Sequence, residues 1–541
     1  MIVVLQTNTY HYLKNFLKSN SEYFFGRLVT YLYNKLNSLY YSYMTRFLSL
    51  RYFYQRYMRS SRLKLSLKNV GFYVFSILLS GLGSCATKKV TNSKKYVSVT
   101  EFGAKANGIH DDRKNIQLAF ENADTVFFPA GTYLLGSKTL DHSLLYIDER
   151  YQVRALIFDT AAILKVSSEI PRNYHKPATL QVRARYKNLK SFYISGLHID
   201  GNFEGHQLDN SGLLIYSNKG KRVDKITLRD ITIKNVGKTG IHTEAKHSDL
   251  KDITTSNCGG HGIGIINTRN PNQITEFYLE NYKSSNDKAY SIDFSGKEIP
   301  HQRSTLLWNE KYIGRVKNVV SLNSGLGIKT AGCWSLNLSN TQIINPRHNG
   351  FCVNKDSPQD TIFLDNIKII NPKNAGLNLS KKANIIAKNI SITGYKTGII
   401  IGEADFSVDG LFLDGQHKNN ACIRLGNSKV LLQNFEIVNN NSLDNYPIWV
   451  SGKKVVMKNG TIENNNSPYG LKIHETTNEV KIDNLTIGGL KMLVAVVNDQ
   501  LKGSTQIINS DFSLVKGKKI IDKYQTTRTQ NVIGVVNTKE K

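Results

Sequence analysis

The chain contains few cysteines for its length, and they lie far apart. Five occur in 541 residues, at Cys85, Cys258, Cys333, Cys352 and Cys422. Zinc sites and dense disulfide frameworks both need closely spaced cysteines, so the spacing excludes either as the basis of the fold. Long apolar runs are missing from the N-terminal region as well. Its apolar stretch Val70–Leu82 spans thirteen residues, fewer than the ~20 that a membrane-spanning helix needs.

Acidic residues are scarce relative to basic ones. Asp and Glu number 42 against 71 Lys and Arg, which gives a formal net charge of +29. Residues 1–84 hold eleven of the basic residues and one acid, Glu22, so the rest of the chain keeps +19. A strongly basic protein favours an anionic partner, such as nucleic acid, acidic lipid or a charged polysaccharide. No recognised nucleic-acid-binding module occurs in the sequence, so we expect no nucleic-acid partner.

Residues 58–84 follow the order of a cleaved secretory signal. Basic residues precede the apolar stretch, and Leu82-Gly83-Ser84 lead directly into Cys85. This end resembles the lipobox of bacterial lipoproteins, in which the cysteine becomes the lipidated N-terminus. The resemblance implies lipidation of Cys85 and a lipid anchor at the outer membrane, on its periplasmic or cell-surface face. The alternatives are an ordinary buried cysteine and a basic amphipathic segment that binds a membrane.

These features divide the chain into four predicted parts. Residues 1–57 are predicted to be a non-native or disordered upstream extension, with Met58 as the initiator. Residues 58–84 form the lipoprotein signal peptide, and residues 85–96 form a basic, flexible tether. Residues 97–541 form a single domain, which we expect to be monomeric.

The predicted domain opens with a capped helix and a strand-turn-strand unit. The stretch Val97–Leu135 contains Asp111 and Asp112, which can cap a helix whose buried face is predicted to consist of Ile116, Leu118, Ala119 and Phe120. "TVFFPAGTYLL" then predicts two strands around a Pro-Ala-Gly turn. The stretch resembles the N-terminal signature of the pectate-lyase-like superfamily, which includes polygalacturonase-type hydrolases, lyases and phage tailspikes. The resemblance implies an all-β, right-handed parallel β-helix with a short N-terminal capping helix.

From about Asn210 onward the sequence repeats with a period of roughly 22–30 residues. Phrases such as "TGIHTEA", "HGIGIIN", "LGIKTAG" and "NGFCVNK" recur at equivalent positions, each followed by a second strand such as "LDNIKIINP". Alternating apolar residues favour strands, and regular Asn and Gly favour turns. Each repeat is therefore interpreted as one coil of a β-helix, with Asn side chains stacked from coil to coil at the turns.

The alternation predicts which side chains face outward. Ile241 and Thr243 match the inward positions of other coils, so His242 and Glu244 are predicted to face outward. In this register one outward column is Leu214, His242, Gly264, Ser291, Lys329, Cys352, Asn378, Ile400, Arg424 and Trp449. The second column, two residues along each strand, is Tyr216, Glu244, Ile266, Asp293, Ala331, Asn354 and Ser380.

The polar members of these columns predict a groove for an anionic polysaccharide. Its floor is predicted to consist of the catalytic candidates His242, Glu244, Asp293 and Lys329. Loops on a rigid scaffold commonly carry binding residues. The substrate-binding candidates, from these loops and from the second column, are Arg269, His301, Arg303, Trp308, Arg347, His348 and Asn354.

The stretch "CGGHGIGI" holds a further catalytic candidate, His261, between two glycines. Gly260-His261-Gly262 resembles the Gly-His-Gly element of the polygalacturonase family, and "GIKT" at 327–330 resembles its Arg-Ile-Lys element without the arginine. The family's two aspartate-bearing elements are replaced by "DNSG" and "GKTG". Inverting hydrolysis needs a carboxylic acid and a carboxylate base. The resemblance therefore implies a cleft residue at His261, as base, acid or substrate ligand, but no polygalacturonase mechanism.

The preferred prediction is a polysaccharide lyase that cleaves a uronate-containing polysaccharide by β-elimination. This reaction needs a base for the C5 proton, for which Lys329, His242 and His261 are candidates. It also needs a positive charge at the uronate carboxylate. That charge is predicted to come from Lys329, Arg269 or Arg303, or from a calcium ion held by the metal-ligand candidates Glu244 and Asp293; apart from this ion, no cofactor is expected.

Two alternatives stay open. Glu244 and Asp293, predicted in one column two coils apart, would lie ~9–10 Å from each other, close to the spacing of an inverting glycoside hydrolase. A polygalacturonase-like hydrolase of an acidic or sulfated glycan is therefore the second hypothesis. A non-catalytic glycan-binding solenoid is the third, because a fold does not by itself imply an activity.

Overall fold

The structure is a computed structural model, and its described residues form one long stack of β-strands. The description covers residues 94–136, 143–170, 178–206, 210–218, 220–266, 274–295, 311–331, 335–354, 361–416, 418–419, 421–442, 446–463, 466–489 and 491–534. These residues all belong to one compact unit, Val90–Lys541. The predicted signal peptide and Cys85 lie outside this description, so the domain boundaries stay predictions. Within it, no helix is both long and apolar enough to cross a membrane.

The described strands are short and numerous. In chain order they are β1 (Lys94–Ser98), β2 (Asn107–Asp111), β3 (Ala123–Phe128), β4 (Gly131–Leu135), β5 (Leu145–Asp148), β6 (Ala155–Phe158), β7 (Ala162–Val166), β8 (Ala178–Ala184), β9 (Leu189–Ser195), β10 (His198–Asp200), β11 (Ser211–Ser217), β12 (Val223–Lys234), β13 (Ile241–Thr243), β14 (His247–Ser256), β15 (Ile263–Ile266), β16 (Ile274–Ser285), β17 (Tyr290–Ser295), β18 (Lys311–Leu322), β19 (Leu326–Ala331), β20 (Ser335–Ile344), β21 (Phe351–Val353), β22 (Thr361–Ile370), β23 (Ala375–Leu379), β24 (Asn384–Thr393), β25 (Thr397–Ile401), β26 (Asp405–Asp414), β27 (Lys418–Asn419), β28 (Ala421–Leu425), β29 (Lys429–Val438), β30 (Asn441–Ser442), β31 (Ile448–Val450), β32 (Lys454–Ile462), β33 (Tyr469–Ile473), β34 (Glu479–Ile487), β35 (Val494–Asn498), β36 (Ser504–Ile508), β37 (Ile520–Asp522) and β38 (Thr527–Gln530). The helices among these residues are a 3-10 turn at Val99–Phe102, α1 (Arg113–Asn122) and α2 (Phe203–His206).

Two parallel sheets enclose the core. The short-strand sheet consists of β5, β8, β11, β13, β15, β17, β19, β21, β23, β25, β28, β31, β33, β35 and β37, in this spatial order. The long-strand sheet comprises the other strands, apart from the small pair β27 and β30. Each strand pairs with the equivalent strand of the next coil, as β13 does with β15. The predicted all-β, right-handed parallel β-helix is confirmed.

Asparagine ladders mark two corners of the coils. Many long strands contain one residue with positive φ near the middle and are followed by another, and most of these residues are asparagine. Asparagine tolerates this left-handed conformation better than other non-glycine residues. Asn340 donates from Nδ2 to Oδ1 of Asn318 at 3.2 Å in the first ladder. In the second, Asn345 donates to Asn323 at 3.2 Å and accepts from Asn371 at 3.1 Å. The predicted stacking of asparagines is confirmed.

The helix α1 covers the N-terminal end of the core, as predicted. Ile116, Ala119 and Phe120 are fully buried, but Leu118 is 46% exposed, contrary to prediction. Position 118 lies two residues from Ile116, which is about 200° around a helix and so on the opposite face. Asp111 Oδ1 accepts from the Arg113 amide at 3.1 Å. The buried Asp112 makes no side-chain hydrogen bond to the helix and accepts instead from the amides of the preceding loop.

Candidate active site

Buried side chains inside the coil leave no room for a Cβ atom at Gly262, the residue that follows His261. A Cβ atom at Gly262 would overlap Tyr282 Oη and lie 2.5 Å from Asp287 Oδ2. Both groups belong to a buried polar network in which Thr255 Oγ1 lies 2.7 Å from Tyr282 Oη. Burial raises the pKa of the Asp287 carboxyl. Position 262 therefore points into the coil, and the neighbouring His261 is directed outward.

The strand register fixes the outward column of the short-strand sheet. His242 pairs with Gly264, Gly264 with Asp293, and Asp293 with Lys329. The column continues from Lys329 through Cys352, Asn378, Ile400, Arg424 and Trp449. Nine of the ten positions of the predicted first column are thus correct, including Leu214, which pairs with His242; the exception is Ser291, whose place is taken by Asp293.

The misplacement of Asp293 has a structural cause. Ile292 pairs with Ile328, which sets Ser291 opposite Gly327. Ser291 is fully buried, at the small-residue position that precedes the inward apolar residue in each coil. Asp293 consequently stands two residues away from the column of Glu244, and the prediction that these two carboxylates share a column is wrong.

Tyr290 joins His261 to Lys329 on the surface of the sheet. Gly262 N donates to Tyr290 O at 2.8 Å, which places His261 and Tyr290 at equivalent positions of adjacent coils. Their rings stack with centroids 4.8 Å apart and an interplanar angle of 22°. Lys329 Nζ lies 4.7 Å from the centroid of the Tyr290 ring. His261, Tyr290, Asp293 and Lys329 together are the His261 cluster.

Asp293 lies between the two nitrogen bases of the cluster. Its Oδ2 lies 3.5 Å from His261 Nε2, and its Oδ1 lies 3.4 Å from Lys329 Nζ. Asp293 is 4% exposed, and the Lys329 side chain is 15% exposed. Charge interactions at this depth are screened less than at the open surface, so the three side chains act as a unit.

The electrostatics of the cluster favour a neutral histidine. Burial lowers the pKa of His261 below its ordinary 6.5; Asp293 opposes this shift, and Lys329 and His242 add to it. His261 Nδ1 is buried and has no hydrogen-bond partner among the described groups. A neutral imidazole can take up a proton.

His242 and Glu244 form a separate pair. His242 Nε2 lies 3.5 Å from Glu244 Oε1, and Glu244 Oε2 accepts from the Ser217 amide at 3.0 Å. Glu244 is 6% exposed and is thereby fixed to the preceding coil. Two coils of ~4.8 Å and two residues of ~3.3 Å separate the Cα atoms of Glu244 and Asp293 by roughly 12 Å. The two carboxylates also face different partners, His242 for Glu244 and His261 and Lys329 for Asp293.

The remaining sequence candidates divide into two groups. Arg269, His301, Arg303 and Trp308 lie outside the described part of the chain. Arg347, His348 and Asn354 are exposed, and Arg347 donates from Nη2 to the carbonyl of Asp287 at 3.3 Å. No contact within the described ranges links these three side chains to the His261 cluster.

The predicted calcium site does not fit the arrangement of the carboxylates. Among the described residues, no group of three or more His, Cys, Asp or Glu side chains could hold a metal ion. Calcium prefers six to eight oxygen ligands, whereas both oxygens of Asp293 face nitrogen atoms. The ammonium group of Lys329 already provides a positive charge at this point.

A groove also lies over the long-strand sheet, and several of its charged groups are paired with one another. Arg229 Nη2 lies 2.6 Å from Asp249 Oδ2, and Lys251 Nζ lies 3.6 Å from Glu280 Oε2. These side chains are well exposed, and surface pairs of this kind contribute little beyond solubility. The half-buried, mixed acid-base cluster on the short-strand sheet is the better candidate for chemistry.

Sequence reasoning missed Tyr290. In "AYSIDFS" the residues Tyr290, Ile292 and Phe294 alternate, so strict alternation would give the tyrosine an inward position. The pairing of Tyr290 with Leu326 places it directly before the small residue Ser291 and two residues before the inward Ile292. The small residue Ser291, aligned with the glycines of neighbouring coils, is the signal that would have identified it.

The N-terminal part of the chain matches a known family. Residues 96–147 match the family model "Rhamnogalacturonase A/epimerase, pectate lyase-like". The match covers the segment in which the resemblance to the pectate-lyase-like superfamily was recognised, and that recognition is confirmed. A comparison of the sequence with curated proteins finds no match.

Solved structures of similar architecture are distant in sequence. The A-module of the Azotobacter vinelandii mannuronan C-5 epimerase AlgE4 is 14% identical, with 80% of this chain and 99% of that chain covered and a TM-score of 0.34. A family 28 exopolygalacturonase of Yersinia enterocolitica is 12% identical, with 81% and 78% covered and a TM-score of 0.27. Bacteriophage phi29 gene product 12 is 14% identical, with 81% and 56% covered and a TM-score of 0.42. These likenesses are too weak to bear on the activity of this chain.

Proposed function

We propose that the protein is a carbohydrate-active enzyme, a polysaccharide lyase that cleaves a uronate-containing polysaccharide by β-elimination. The observation that carries the proposal is the half-buried His261, whose pKa is lowered and whose Nε2 lies 3.5 Å from Asp293, in one cluster with the ammonium group of Lys329. The family match at residues 96–147 and the net charge of +29 agree with an anionic polysaccharide as substrate.

In this reaction His261 acts as the base. Its imidazole takes the C5 proton of the uronate, and the electron pair of the broken C–H bond forms the C4–C5 double bond as the C4–O bond breaks. Asp293, at 3.5 Å from Nε2, orients the ring and stabilises the imidazolium that forms. The leaving oxygen needs a proton, which we assign to the Tyr290 hydroxyl, since Tyr290 stacks on His261. Exchange with solvent then restores both groups.

Lys329 has the second role. Removal of the C5 proton places negative charge on the uronate carboxylate, and a positioned cation stabilises that charge more in the transition state than in the bound substrate. Lys329 lies over Tyr290 and within 3.4 Å of Asp293, so its ammonium group is held at the cluster. Asp293 balances its charge while the site is empty of substrate.

A hydrolase and a binding protein are the two alternatives. The hydrolase lacks support because Glu244 and Asp293 face different partners. The non-catalytic solenoid is tested by the same assay as the lyase.

The test incubates the full chain with pectin, alginate, glycosaminoglycans, ulvan and carrageenans. New ultraviolet absorbance together with new reducing ends identifies a lyase, and new ends alone identify a hydrolase. Deuterium uptake at C5 from heavy water without new ends identifies an epimerase. Binding without any of these products identifies a glycan-binding protein. The proposal is wrong unless the first pattern occurs and is abolished by His261→Ala or Lys329→Ala.

We further propose that Cys85 carries a lipid that anchors the protein at the outer membrane. The support is the signal-like order of residues 58–84 and the Leu-Gly-Ser-Cys end. Expression in a bacterial host with labelled palmitate is expected to label the wild type and leave Cys85→Ser unlabelled. Equal labelling of both proteins contradicts the proposal.

A further inference from the structure

A second group of aromatic and charged side chains lies on the short-strand sheet, close to its C-terminal end. Tyr446 and Tyr469 stack with ring centroids 4.9 Å apart and an interplanar angle of 22°. Trp449 meets the Tyr446 ring edge-on at 6.0 Å, and Lys472 Nζ lies 5.3 Å from the Tyr446 centroid. Tyr446, Trp449, Tyr469 and Lys472 are the Trp449 platform.

The platform occupies outward positions, so the hydrophobic core does not account for its aromatic rings. Trp449 pairs with Arg424 on one side and with Lys472 on the other, in the same column as Lys329. Its three aromatic rings are half-buried, and Arg424 is exposed. Lys472 forms an ion pair with Asp499. A surface that offers aromatic rings and cations side by side is suited to sugar rings that carry carboxylates.

The platform repeats one part of the His261 cluster. Lys472 has the same position relative to Tyr446 as Lys329 has relative to Tyr290. Each lysine lies in the coil after its tyrosine and over the tyrosine ring. The proton-transfer groups are not repeated. The register places Ala421 before Tyr446, where the first cluster has His261, and Trp449 occupies the position of Asp293. The shared part is therefore the part that binds, without a base.

We propose that the Trp449 platform is a second binding subsite for the polysaccharide, which holds uronate-bearing sugar units remote from the site of cleavage. The proposal rests on the proposed function for the identity of the ligand. Six coils separate the strand of Asp293 from the strand of Trp449, which corresponds to ~29 Å along the sheet. A polymer can reach both sites at once, whereas a trisaccharide cannot. Simultaneous engagement makes the second contact intramolecular and raises the overall affinity.

The test compares polymer binding with turnover of a short substrate. Binding is measured by affinity electrophoresis in gels that contain the polymer that the protein cleaves. All variants also carry His261→Ala, so that the polymer is not degraded during the run. In this background Trp449→Ala and Lys472→Met are each expected to weaken polymer binding about tenfold, and Trp449→Phe, which keeps a ring, much less. Tyr193→Ala removes a ring that is 38% exposed on the long-strand sheet and is the matched control.

Kinetics with His261 intact separate the subsite from a general structural effect. Trp449→Ala and Lys472→Met should raise KM for polymer and leave kcat/KM for a trisaccharide unchanged. Equal losses on both substrates, or unchanged polymer binding in both variants, overturn the subsite. If the chain cleaves none of the polymers yet binds one through Trp449, the subsite stands and the lyase proposal fails. If it binds none of them, both fail.

Discussion

Asp293 and Lys329 pair directly across adjacent strands of the short-strand sheet, and Lys329 Nζ lies 3.4 Å from Asp293 Oδ1. Both side chains influence the protonation of His261, but in opposite directions. Asp293 raises the pKa of His261, and Lys329 lowers it. Substitutions of these two residues should therefore shift the pKa of His261 in opposite directions.

The pH profile of the reaction is expected to respond to both neighbours. If neutral His261 is the base, the rate falls on the acid side as pH drops through its lowered pKa, below the ordinary 6.5. Lys329→Met removes a positive charge and should move this acid limb to higher pH. Asp293→Asn removes a negative charge and should move it to lower pH. The measurement is kcat/KM against pH, and a limb that stays fixed in both variants excludes His261 as the titrating base.

Loss of the Lys329 ammonium is expected to reduce the rate strongly. Lys329→Ala should lower kcat about 10²- to 10³-fold, the usual effect of removing one preorganised charge from a transition state. Lys329→Arg should recover part of the rate, because the charge returns in a different shape. The control is Lys368→Ala, an exposed lysine of β22 on the long-strand sheet. A comparable loss in that control would assign the effect to overall charge.

The two glycines that flank His261 are expected to differ in their tolerance of a methyl group. Gly262→Ala forces a Cβ into the buried network of Tyr282, Asp287 and Thr255, at a cost of roughly 1–3 kcal/mol or more. At Gly260 the nearest atoms, of the Lys238 backbone, lie 3.2 Å from such a Cβ, so Gly260→Ala should cost less. Apparent Tm measures the difference. Equal Tm values in the two variants contradict the inward direction of position 262.

The asparagine ladder predicts an unusual order of substitutions. Asn345 has a φ of 50° and hydrogen-bonds to the asparagines of both neighbouring coils. Alanine loses these bonds and is strained in the left-handed region by ~1–2 kcal/mol, whereas glycine loses only the bonds. Asn345→Gly should therefore retain a higher apparent Tm than Asn345→Ala, the reverse of the order expected within a strand.

Chelation tests the role of calcium. Since the Lys329 ammonium supplies a positive charge at Asp293, activity is expected to survive an excess of EDTA. Full recovery by added calcium after an EDTA-induced loss would restore the metal hypothesis. Apparent Tm with and without chelator shows whether any loss reflects stability.

The sequence predicts the fold well because the fold repeats. Each coil supplies a further instance of the same inward pattern, so Ile241 and Thr243 were correctly placed inside, at 0% and 1% exposure. The N-terminal helix was also found, although Leu118 was assigned to the wrong face. These features depend on local periodicity, which the sequence contains directly.

The site was predicted less completely. Alternation shows on which face of the strand a residue lies, but not with which residues of the neighbouring coils it pairs. A slip of two residues keeps every side chain on its own face, and "AYSIDFS" permits such a slip. Asp293 was therefore correctly expected to face outward, yet one column away from its place beside Lys329. The stacking of Tyr290 on His261 depends on the turn before the strand, where alternation breaks. The two-residue alternation of the strands therefore does not predict the contact between Tyr290 and His261.

The stacking of coils also sets how distances in this molecule can change. Between the strands of Asp293 and Trp449 the spacing is a whole number of coils, each ~4.8 Å thick. Insertion or deletion of one complete coil, such as the one that contains β23 and β24, would lengthen or shorten that span by a single step. Every side chain at either end would keep its neighbours. The distance between the two clusters can therefore change in steps of one coil without a change in any residue of either cluster.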